Sequence, residues 1–151
     1  MRIEGHPAVK LTKGENRMFL KSGVSLLLAV LFAGSAAAAA PQQHIETITA
    51  QVHSEMALNA DSLNSAHAHF HHVINCIVDP DNKLFELRAG NPCASMGSSG
   101  GALRDEAQTD TQKKQLEHAL EIAKRGAVAK NMEMAKVYAE WLSDVLKQAT
   151  P

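Results

Sequence analysis

Aromatic side chains are scarce in this sequence, with one Trp, one Tyr and four Phe among 151 residues. There is no excess of positive charge either, since 15 Lys and Arg stand against 16 Asp and Glu. Without a stacking platform or a basic face, nucleic acid is not an expected partner. Cysteine is limited to Cys76 and Cys93, and the chain has no HExxH, no pair of CxxC units and no CxxCH. A zinc-protease helix, a four-thiolate zinc site and covalently attached haem therefore lack their signatures. The glycines of Gly97-Ser98-Ser99-Gly100-Gly101 are not followed by Lys-Ser or Lys-Thr, so no phosphate loop, and no nucleotide, is expected.

Long apolar runs are missing as well. The strongly apolar stretch covers only Val24 to Phe32, short of the ~20 residues that a membrane span needs. With the small residues that follow, up to Ala40, it has the make-up of a cleavable secretory signal. Residues 1–40 are read as the leader, and cleavage is expected after Ala38 or Ala39, because Pro41 would hinder a cut immediately before it. The polar stretch Met1 to Arg17 lengthens the charged region of such a leader, whereas a start at Met18 gives a conventional one with Lys21 as its cation. Residues 41–151 of the expected mature protein are read as a single periplasmic or secreted domain without a membrane span.

Five of the bases (Arg2, Lys10, Lys13, Arg17 and Lys21) and two of the acids (Glu4 and Glu15) precede Pro41, so the remainder carries a net charge of −4 with histidine neutral. Both cysteines lie in that remainder, and two thiols in an oxidising compartment predict one disulfide, Cys76–Cys93. Closing a loop of this size adds about 3 kcal/mol to stability in the chain-entropy model.

At about 100° per residue, Ile45, Ile48, Val52, Met56, Leu63, Ala66, Phe70, Val73, Ile74 and Ile77 fall on one face of a helix. Asn59, Asp61 and Ser62 interrupt that run with capping residues, which predicts two helices over 44–58 and 62–78, or one long helix if they fuse. Asp79-Pro80-Asp81-Asn82 stops the second helix. A long irregular stretch to Gln108 follows, which the disulfide would pin to the outer face of that helix. Thr109 or Asp110 opens a third helix with Leu116, Ala119, Leu120, Ala123 and Ala127 as its stripe, ending at Lys124-Arg125 with Gly126 just past it. Asn131 caps a fourth, whose stripe is Met134, Val137, Tyr138, Trp141 and Val145. The expected fold is all-α: a small up-and-down bundle of four helices, three if the first two fuse, with one long disulfide-pinned loop.

Chemistry concentrates in HAHFHHVINC, where His67, His69, His71, His72 and Cys76 share ten residues of the second helix. His67 and His71 are four apart and stack on one side. His53 shares their phase if the helices are continuous; in a hairpin its meeting with them depends on packing. His69 and His72, three apart, lie with Cys76 on the face away from the apolar stripe, towards the pinned loop. Neutral imidazoles at such spacing chelate Cu, Zn or Ni ions, and the same residues also suit a merely solvated polar face. A cysteine in a disulfide offers no thiolate ligand, so Cys76 is read as disulfide rather than ligand. A Met–His pair such as Met56 with His118 could in principle hold haem across a bundle, but no haem is expected.

The formal GxSxG around Ser99 lacks the strand and the large sheet that a nucleophile elbow needs, and Asp79, Asp81 and Asn82 lack the glycine and glutamate offsets of a calcium loop. No enzyme is expected. The sequence points to an exported protein that binds or buffers a transition metal, with His67 and His71 as first ligands, His53 next, and His69 with His72 as a second pair. The alternative is a non-catalytic cell-envelope module that binds another protein and whose histidines are incidental.

Overall fold

A computed structural model describes residues 44–97, 100–105 and 108–150. The leader, its cleavage site, the start at Met18 and Ser99 of the formal elbow lie outside them. Four helices make up the described part: α1 (Ile45–Leu58), α2 (Leu63–Ile77), α3 (Asp110–Gly126) and α4 (Met132–Ala149), with no strand among the described residues. α1 packs on α2 and α4, and α3 packs on the same two, so the helices form a ring in chain order joined by short turns except between α2 and α3. None of these helices is long and apolar enough to cross a membrane.

Side chains that hydrogen-bond the first free backbone N–H groups set three of the four helix starts. Ser62 accepts from the Ser65 N–H, and Asn131 from Met134 N–H. Thr109 accepts from Gln112 N–H while the Gln112 side chain returns to the Thr109 N–H, a full capping box. The Ser62 cap and the turn before it divide α1 from α2, so the two helices fold back as a hairpin and do not form one rod.

The core is built around Phe70, Val73 and Ile77 of α2, Leu116 of α3, and Leu142 and Leu146 of α4, all fully buried. Phe70 reaches α3 at Gly126, where any Cβ would run into its ring. That close approach explains the glycine, which is the last residue of α3 rather than a left-handed residue beyond it.

Two of the expected apolar stripes are not the buried ones. α1 buries Glu46, Thr47, Ala50, Ser54 and Ala57 and leaves Ile45, Val52 and Met56 exposed. α4 buries Ala135, Ala139, Leu142, Ser143, Leu146 and Ala149 and leaves Met134, Val137 and Trp141 exposed. Small side chains let helix backbones approach closely and fill the space between them without voids, and α1 and α4, which pack on one another, both turn their small residues inward.

The stretch between α2 and α3 carries two short 3-10 turns, Leu87–Ala89 and Ala102–Arg104. It is held at several points. The Cys76–Cys93 disulfide is formed, with Cα atoms 5.3 Å apart. Asp79 and Asn82 accept hydrogen bonds from the Asp81 and Leu84 N–H groups and make the expected turn, and Arg104 pairs with Asp79 across it. Further on, Gly101 has φ of +78° with no room for a Cβ against the Val78 carbonyl. Buried Gln108 donates to Thr47 Oγ1 at 3.1 Å, and His44 Nδ1 lies 2.8 Å from Asp105.

Candidate metal centre

α2 buries Ala66, Phe70 and the run Val73 to Ile77, and its four histidines occupy positions on the flanks of this core-facing side. The hairpin decides which imidazoles meet. α1 runs back along α2 and brings His53 against His69 and His72. One nitrogen from each of these three lies within 4.8 Å of those of the other two. His53 Nδ1 and His69 Nδ1 are 3.2 Å apart, sharing one proton in a hydrogen bond, and the His53 and His72 rings meet edge to face with centroids 4.6 Å apart. All three side chains are partly buried.

This spacing suits a metal ion. Two imidazole nitrogens on one tetrahedral zinc, each at 2.0–2.1 Å, are roughly 3.3 Å apart, close to the His53–His69 separation. Since these nitrogens all lie within 4.8 Å of one another, no separation needs to close by more than roughly 1.5 Å, within reach of a small side-chain rotation.

His72 is further prepared by its neighbours. Its Nε2–H donates to the Ala89 carbonyl at 2.6 Å, and since a carbonyl only accepts, the proton is placed on Nε2 and Nδ1 keeps its lone pair. That Nδ1 is buried without a hydrogen-bond partner. A ligating histidine characteristically gives its second N–H to a carbonyl or carboxylate, which fixes tautomer and ring orientation.

The electrostatics favour neutral imidazole, the form that binds metal. Burial, together with the neighbouring His72 and His69, holds the His53 pKa down to about 4. His69 is lowered by burial and then by His72.

The other sequence-selected histidines are placed elsewhere. His67 Nε2–H donates to the Ala129 carbonyl at the α3–α4 turn, at 2.9 Å. His71 is half-buried with Nδ1 unpartnered, its pKa lowered by burial and, less, by His67 and His72, against an upward pull from Glu86. Among the described residues, the one group of three potential ligands is His53, His69 and His72, so His53 meets the pair that faces the loop and not the His67–His71 pair. Comparison with family models, with curated proteins and with solved structures finds no match to this chain.

Asn75, which the motif reading passed over, organises the same face. It is 1 % exposed; its side-chain amide donates to the Glu86 and Gly90 carbonyls at 2.9 and 2.6 Å and accepts from the Glu86 N–H. A polar residue immediately before a disulfide cysteine, in an otherwise apolar helical turn, was the available signal.

Proposed function

We propose that this chain is an exported, non-enzymatic protein that binds or buffers a late first-row transition ion, copper, zinc or nickel, at His53, His69 and His72. The observation that carries this reading is the convergence of three imidazoles from two helices, one of them with its tautomer fixed and its remaining nitrogen buried and unpartnered. Water or a further side chain completes the coordination. Export is supported by the apolar run before the alanines and by the paired cysteines, which suit an oxidising compartment.

Titration calorimetry of the purified chain with Zn²⁺ and Cu²⁺ tests the site. His69→Ala and His72→Ala are expected to weaken binding at least about tenfold, or 1.4 kcal/mol, while the His67→Ala/His71→Ala pair changes it little. Loss of binding in that pair alone would return the site to one side of α2. No binding by the unaltered chain would remove the reading altogether.

A second reading, a protein-interaction module of the cell envelope, is favoured by a different observation. α4 leaves Trp141 56 % exposed beside Tyr138, Met134 and Val137, and Leu87 of the pinned loop is 82 % exposed. Apolar surface of this kind is common at binding faces. Metal-free protein recovered from its native compartment with a bound partner would favour it.

A further inference from the structure

The metal-binding reading, on which this inference rests, concerns one end of a longer strip on α2. His69, His72, Asn75 and Cys76 follow one another at spacings that keep them on the same side of a helix. The segment from Glu86 to Cys93 lies along that strip. Glu86 and Gly90 are held by Asn75, the Ala89 carbonyl by His72, and Cys93 by Cys76. Ala89 thus lies between the Asn75-bound carbonyls of Glu86 and Gly90, with the disulfide at Cys93 four residues further on.

We propose that Asn75 and the Cys76–Cys93 disulfide are positioning groups for the metal site, acting through His72. They hold the loop where the Ala89 carbonyl accepts the His72 Nε2 proton, and so leave Nδ1 as the nitrogen with a free lone pair on a ring packed against His53. Outer partners of ligating histidines commonly change metal affinity by 10–100-fold, and His72 depends on this single carbonyl. Coupling of this kind is reciprocal, so a metal held by His72 also steadies the loop.

The test uses Cu²⁺ and the full oxidised chain, with Asn75→Asp and the Cys76→Ala/Cys93→Ala pair as variants, each made with His72 intact and with His72→Ala. With His72 intact, both variants should bind Cu²⁺ about tenfold more weakly, and paramagnetic resonance should report two coordinated imidazole nitrogens in place of three. With His72 already removed, the same changes should alter affinity by less than about twofold, because the route through which they act is gone. Equal weakening in both backgrounds, or unchanged affinity and nitrogen count, overturns the proposal. Should the variants fail to fold, hydrogen exchange in the unaltered chain decides. The Ala89 and Gly90 amides, which bond to the Glu86 and Leu87 carbonyls, should exchange more slowly with Zn²⁺ bound, and unchanged exchange overturns the proposal equally. Failure of the unaltered chain to bind Cu²⁺ would instead refute the metal-binding reading itself.

Discussion

His53 shows how much a single side chain owes to the turn between two helices. Its proton is disfavoured by burial and by two neighbouring imidazoles, which hold its pKa at about 4 against 6.5 in an unfolded chain. The consequence for stability has a definite sign. Between these two values the unfolded chain binds a proton that folded His53 does not, so the contribution is fully present above pH 6.5 and is lost as pH falls towards 4. His69 and His71, also lowered by burial, act in the same direction. The urea midpoint of the metal-free chain should therefore fall between pH 7 and pH 5, and His53→Gln should flatten that fall. A midpoint that holds steady over this range would contradict a partly buried His53 kept neutral in the folded chain. At another single position, Gly126→Ala places a methyl group against the Phe70 ring and should cost about 1–3 kcal/mol by overpacking, measured by the same denaturation.

At the scale of elements, what was legible in the sequence was whatever depends on neighbours along the chain. The Ser62, Thr109 and Asn131 caps, the Asp79–Asn82 turn and the core stripe of α2 follow from local chemistry, and all four helix starts and the ends of α1, α2 and α3 fall within a residue or two of their expected bounds. The inward faces of α1 and α4 were not legible, because each helix carries two faces able to pack. One is bulky and one small, and the choice between them depends on how closely a neighbouring helix approaches. The histidines divide in the same way. His69 and His72 facing the loop could be read from spacing on α2, whereas the arrival of His53 required the hairpin. This gives a test at the level of the helix. Val52→Ser and Met56→Ser, on the exposed side of α1, should each change stability by no more than about 0.5 kcal/mol. Ala50→Leu, on the buried small side, should cost about 1–3 kcal/mol. The reverse order would restore the bulky stripe as the packed face.

At the scale of the molecule, the four helices of the described residues and one cross-link divide the work of holding the chain. The helices bury a common core through Phe70, Ile77, Leu116, Leu142 and Leu146, and none of these contacts needs the disulfide. The stretch between α2 and α3 buries little of its own: its two 3-10 turns leave only Ala102 fully covered, and it depends on Asn75, on the His44–Asp105 and Gln108–Thr47 contacts and on Cys93. Removing the disulfide should therefore loosen the loop before it melts the bundle. The reduced chain should keep its helical circular dichroism at 25 °C while losing about 3 kcal/mol, the entropy of an unclosed loop of this size. That loss corresponds to a fall in Tm on the order of 10 °C or more for a domain of this length. Cleavage by a protease under native conditions should then concentrate between Asp79 and Gln108, where the tether was. Helix loss on reduction at 25 °C, or cleavage spread evenly over the bundle, would mean that the four-helix core does not stand without its cross-link.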